Sequence, residues 1–169
     1  MALLGDSSMG SPEQKHRVYA ANDLQWVEGE LTTLGNPHNY INQEDLDFLS
    51  ITNARIAPWS FTGLPNSEVP EIVLARAGLQ YMVLSGESSL EQFREAPRTE
   101  VIILNLPLAI IRGKAPFLSE AHLGNFLDFW KGIFFPMSDV SIHYLAPASV
   151  ERPSQVPLLY VNRKAVQSY

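Results

Sequence analysis

Along most of the chain apolar and polar residues alternate with a period near two, the spacing that sends successive side chains to opposite faces of a strand. Val18 and Ala20 start the pattern, and residues 25–33 resume it after a turn at Ala21-Asn22-Asp23. Residues 48–56, 69–76 and 78–84 read as further strands, with Ala77-Gly78 as a tight turn or bulge between the last two. The alternation returns over residues 100–106, 109–117, 133–145 and 155–160, followed by a short tail through Val166. Two stretches change period. Leu123, Phe126, Leu127 and Trp130 recur at helical spacing and predict a helix over 119–130, with Ser119 as N-cap and Lys131-Gly132 as its close. Residues 39–46 carry a shorter version with a weaker apolar face, a single helical turn.

The pattern also repeats at long range. Val27-Glu28-Gly29-Glu30 matches Ile111-Arg112-Gly113-Lys114 at an offset of 84, residues 48–56 match 134–142 at 86, and residues 69–76 match 156–163 at 87. Matches in one order with so small a drift point to a duplication. The expected fold is therefore mainly β, as two tandem small β-barrel-like units of about five strands, each with a short helical insertion. The expected organisation is a flexible N-terminal tail (1–15), a first β unit (16–84), a linker (85–98) and a second β unit (99–169). Within the linker, Ser88 with Glu91 offers a capping box and Pro97 a stop, so it holds a short helix.

A strand crossing a glycine between charges, the strand Phe48-Leu49-Ser50-Ile51-Thr52-Asn53-Ala54-Arg55-Ile56 and an apolar strand ending at Ala75-Arg76 together resemble the small bacterial Sm-like or SH3-like β-barrel domains of unknown function, here duplicated in tandem. The segment Leu123-Gly124-Asn125-Phe126-Leu127 before the strand at 134–142 fits the same resemblance. An Sm-like relationship implies ring assembly and RNA binding. Because the units are fused and the basic residues expected beside an RNA path are missing, the fold is carried over and the ligand is not.

Composition narrows the functions. With 46% hydrophobic and 18% charged residues the chain has enough apolar material for a core and is poor in charge, which leaves apolar surface for partners. The absence of cysteine excludes disulfides, thiolate nucleophiles, iron–sulfur ligation and cysteine-containing zinc sites. The longest apolar run, 101–111, is broken by Asn105 and Pro107 and falls short of the ~20 residues that span a bilayer. Residues 1–11 lack the basic start and apolar middle of a secretory signal, so a cytoplasmic location is expected. Net charge is −6; residues 1–84 carry four Lys/Arg against ten Asp/Glu and residues 85–169 eight of each, which argues against nucleic-acid binding by either half.

Candidate chemistry is sparse. His16, His38, His122 and His143 are scattered over a tail, a loop, a helix and a strand with no paired spacing, so no metal site is expected. The cluster Glu44, Asp45 and Asp47 lacks the ligand order of a calcium loop. No phosphate loop, Gly-x-Ser-x-Gly or dinucleotide fingerprint is present, and neither catalysis nor a cofactor is expected. Arg94 and Arg98 before a strand, with Asp139 and Ser141 later, resemble the PilZ signature, which implies a cyclic-dinucleotide site; Tyr144 stands where that signature has glycine. Glu28 and Glu30 against Arg112 and Lys114 reverse the charge at matched positions, which makes the two surfaces complementary if copies pack or chains assemble head to tail. Together with Trp59 and Phe61 in a loop they form the expected partner interface. The function expected is a non-catalytic binding or assembly module, an accessory or structural subunit of a larger protein complex, through partner proteins or self-association. A PilZ-like cyclic-dinucleotide sensor and an Sm-like RNA-binding protein are the alternatives.

Overall fold

The computed structural model describes residues 10–85, 98–117 and 122–169. Alternation resolves into nine strands: β1 (Glu13–Asn22), β2 (Gln25–Leu34), β3 (Phe48–Pro58), β4 (Ser67–Ala75), β5 (Leu79–Ser85), β6 (Thr99–Asn105), β7 (Ala109–Pro116), β8 (Phe134–Tyr144) and β9 (Gln155–Asn162). All lie in one antiparallel sheet ordered β4-β3-β2-β1-β5-β9-β8-β7-β6. The mainly β expectation holds, but the sheet is not closed and two separate barrels do not form. The reason lies in β5, whose residues Leu79–Leu84 are buried without alternation because the strand is hydrogen-bonded to β1 on one side and β9 on the other and is covered on both faces.

Two cores result, on opposite faces of the sheet's centre. Val18 and Ala20 of β1, Met82 and Leu84 of β5, and Leu158 and Tyr160 of β9 enter one of them. Their strand neighbours Ala21, Tyr81, Val83, Leu159 and Val161 enter the other. Each core also takes residues from the far end of the chain: Phe134 packs with β1–β5, and Trp26 and Trp59 pack with β6–β9.

The strand β1 begins at Glu13, inside the stretch expected to be a tail, because its backbone pairs with β2 from Glu13↔Leu34 onward and Gly35 N donates to Pro12 O at 3.0 Å. His16 accordingly belongs to this strand, buried with Nε2 at 3.1 Å from Thr33 Oγ1. The helical turn expected over 39–46 forms earlier, as α1 (Pro37–Ile41), because Pro37 starts its first turn and the Asn36 side chain accepts from His38 N at 2.8 Å. The helix expected over 119–130 is shorter: a 3-10 turn at Leu123–Asn125 leads into α2 (Phe126–Phe129), and Trp130 is already extended. Its proposed N-cap, Ser119, and the linker cap at Ser88 and Glu91 lie outside the described residues.

One local device recurs. The two residues Asn53 and Ala54 of β3 stand opposite the single Gly29 of β2, and Asp139 and Val140 of β8 stand opposite Gly113 of β7. At each bulge the extra residue adopts positive φ, 50° at Asn53 and 51° at Asp139, which Asn and Asp tolerate better than other side chains. A second device pairs arginines. Arg76 Nη1 donates to Ile41 O and Gln43 O at the end of α1, and Arg163 Nη1 donates to Leu127 O at 3.2 Å and Trp130 O at 2.9 Å at the end of α2. Both satisfy carbonyls that a short helix leaves without intrahelical partners.

Candidate functional site

The outer strands of the sheet are β4 and β6. On β4 alternation places Val73 outward, 58% exposed beside Phe48 of the neighbouring strand at 59%. On β6, Ile102 and Leu104 enter the core while Val101 and Ile103 face out, 54% and 51% exposed. The outer side of β4 pairs with no strand among the described residues, and that of β6 meets a single bridge, Asn105↔Ser168. Unpaired N–H and C=O groups flanked by apolar side chains are what an added strand recognises. The first part of β4 is guarded, since Pro70 removes a donor and Glu68 and Glu71 carry charge; its second part, from Ile72, is not.

A second feature lies where the β8–β9 connection, 145–154, reaches across to the first half. Ser60 N donates to Pro147 O at 2.9 Å and Asn66 Nδ2 donates to Ser149 Oγ at 2.8 Å. Arg152 lies with its guanidinium carbon 4.0 Å from the Tyr144 ring centre and 5.6 Å from that of Trp59, while Trp26 meets Tyr144 edge-on and stacks on Tyr19. Burial here pushes the Tyr144 hydroxyl up to about 12 against the opposing influence of Arg152, and raises that of Tyr81 as well, so both stay protonated at neutral pH and neither is a proton carrier; the Tyr144 hydroxyl donates to Pro153 O at 2.5 Å. Beside this clasp opens a cleft of about 560 Å³ with Trp26, Ile56, Ala57 and Val150 in its wall and Glu28, Arg55, Glu68 and Glu151 at its rim. Arg55 is engaged there, 4.0 Å from Glu28 and 3.4 Å from Glu68.

Most residues singled out in the sequence have local partners. Trp59 is 1% exposed, its indole N–H donating to Asn22 O at 2.9 Å, so the ring belongs to the core and not to an open interface. A loop residue of an isolated unit would be exposed; the 145–154 connection is what covers it. Phe61, by contrast, is 65% exposed. Glu28 pairs with Arg17 as well as Arg55, Glu30 accepts from Asn53 Nδ2 at 3.4 Å, and Lys114 lies 2.7 Å from Asp139. Arg112 is exposed on β7 opposite Ser141. Five strand spacings, roughly 24 Å, separate β2 from β7, so the charge-reversed pairs do not meet within one chain.

The cyclic-dinucleotide residues are not assembled either. Asp139 is engaged by Lys114, and Arg98 pairs with Glu100 and lies over the Phe117 ring at 5.6 Å. A shallow groove holds Asp139 and Ser141 beside Gln155 and Pro157, and Arg98 does not line it. Arg94 lies outside the described residues. No three His, Asp or Glu side chains among the described residues converge as metal ligands, and no described helix is long and apolar enough to cross a membrane.

Comparison with protein-family models, curated proteins and solved structures finds no match.

Proposed function

We propose that the protein is a non-catalytic assembly module that joins a larger protein complex by accepting strands at its open sheet edges. The observation that carries this reading is the pair of edges itself: among the described residues the outer side of β4 is unpaired and that of β6 is met only at Asn105, and both strands turn apolar side chains outward, Val73 on one and Val101 and Ile103 on the other. Sheets that remain single chains commonly blunt or cover such edges, and among the described residues β4 is blunted at its Pro70 end and β6 is met by residues 167–168 at Asn105 alone. The repeated bulge glycines and helix-end arginines support descent of the two halves from one Sm-like or SH3-like unit, fused so that β5 serves both. The engaged state of Asp139 and Arg98 counts against the sensor alternative, and the net charge of −6 against RNA. Capture of the intact chain from native host extract, followed by mass measurement of the eluted species, is expected to recover it in a stable larger complex. A chain that elutes as a lone monomer at every concentration and recovers no partner overturns the reading.

A further inference from the structure

The seam between β5 and β9 shows how this chain covers an edge equivalent to that of β4. Resting on the assembly reading above, we infer that the occupant of the β4 edge is a second copy of the chain, whose Ser168 and Tyr169 pair with Leu74 and Val73 as Tyr81 and Met82 pair with Val161 and Tyr160 inside each copy.

The register supplies the correspondence. Gly29 lies opposite Val18, and Gly113 lies opposite Ile102, so β6 stands to β7 as β1 stands to β2. Three residues further on, Ala21 pairs with Tyr81 of β5, and Asn105 bridges to Ser168. Ser168 therefore occupies the place of Tyr81, and Tyr169 that of Met82. On the other side of the seam, β4 and β9 share Val-Pro at 69–70 and 156–157 and end on the helix-capping Arg76 and Arg163, which sets Val73 against Tyr160 and Leu74 against Val161. The ladder between β5 and β9 consists of Tyr81↔Val161 and Met82↔Tyr160. Every residue of that ladder has a counterpart in residues 73–74 and 168–169.

Three further observations agree. Tyr160, covered by β5, is fully buried, whereas Val73 at the equivalent place is 58% exposed. Pro70 and Pro157 stand three residues before these positions, and a residue without N–H confines each ladder to the segment that follows it. The partner strand is already started, because Asn105 N donates to Ser168 O at 2.9 Å and Gln167 N to Asn105 O at 2.8 Å, which holds 167–168 extended along β6. The joint between copies is weaker than the internal seam. Val73 covers less than Tyr160, and Ala75 stands where Asn162 Nδ2 donates to Ala77 O at 3.2 Å and Leu79 O at 2.8 Å. Association is thus concentration-dependent, and because the two surfaces differ it runs head to tail, into a ring where the rotation closes and a filament where it does not.

The chain has no cysteine, which makes a paired-cysteine test clean. The Val73→Cys, Tyr169→Cys double variant is expected to form chain-to-chain disulfides under mild oxidation, giving a ladder of covalent multimers, while neither single variant goes beyond a dimer. Light scattering of the unmodified chain is expected to show a mass that rises above the monomer with concentration, and Val73→Lys to return it to monomer with the melting temperature of the dilute unmodified chain, since that side chain is exposed in the free chain. A strictly monomeric chain, or multimers that survive Val73→Lys and give no 73–169 cross-link, overturns the inference. Capture from extract with Val73→Lys then separates the two levels: loss of the larger complex keeps the edge and changes the occupant, and an unaltered complex removes the assembly role of β4 as well.

Discussion

At Gly29 the backbone of β2 passes so close to β3 that an added Cβ would lie 2.5 Å from a methyl of Ile51 and 2.7 Å from Thr52 O. The equivalent approach at Gly113 is looser, 2.9 Å to Val140 Cγ2 and 3.1 Å to Ser138 O. Gly29→Ala is expected to destabilise by about 1–3 kcal/mol through overpacking, and Gly113→Ala by less because both of its nearest atoms, the methyl and the carbonyl oxygen, stand farther off; comparing their chemical-denaturation midpoints tests the order. This is why a glycine between two charges was a readable signal: the close crossing tolerates no side chain, and the flanking residues point to solvent. The histidines behave differently from their scattered appearance in sequence. Burial holds His16 and His38 below the ordinary value of 6.5, so the unfolded chain takes up their protons first. Their contribution to stability is complete above pH 6.5 and is lost as pH falls through their folded values. Melting temperature is expected to drop on going from pH 7.5 to 5.5, and His16→Gln to make that drop shallower; an unchanged slope would remove His16 from the account.

At the scale of elements, short polar side chains tie the halves together. Asn42, just after α1, donates through Nδ2 to Phe134 O at 3.1 Å and accepts from Phe134 N at 2.9 Å through Oδ1, acting toward β8 as another strand's peptide group would. Gly132 is small at the same contact, where a Cβ would meet Asn42 Oδ1 at 2.5 Å. Asn42→Asp keeps the acceptor, loses the donor and sets a carboxylate against Phe134 O, so a loss of about 1–3 kcal/mol is expected by thermal denaturation. Gln80 plays a similar part, donating to Asp23 Oδ1 at 2.7 Å and accepting from Leu108 N at 3.4 Å. Such contacts leave almost no trace in sequence, since a single Asn or Gln in a loop or strand reads as a turn residue or exposed polar group. The shortened helix at 123–129 has a related cause. The apolar spacing of Phe126 and Trp130 was legible, but Trp130 leaves helical geometry to donate its indole N–H to Phe134 O at 3.0 Å.

For the whole molecule, the decisive element is β5, shared between the cores. Cutting the chain after β5 would expose Tyr81 and Val83 and remove Phe134, Leu158 and Tyr160 from the core on the other face. The intact chain is therefore expected to unfold in one calorimetric transition, with calorimetric and van't Hoff enthalpies equal, and two resolved transitions would mean that the halves are stable alone. Sequence by itself determined the strand pattern, the matched Gly29 and Gly113, the matched segments that end at Arg76 and Arg163, and the lack of catalytic motifs, because alternation and side-chain chemistry are properties of a residue and its near neighbours. That these two glycines face bulges, and that Ala77-Gly78 closes a 3-10 turn instead, belongs to the structure. Only the tertiary structure decided that β5 bridges the halves into one open sheet, that the 145–154 connection buries Trp59, and that Val73, Val101 and Ile103 are left at its edges. Backbone hydrogen bonding is the same for nearly every residue, so a period of two says that a strand has two faces and not which strand lies beside it.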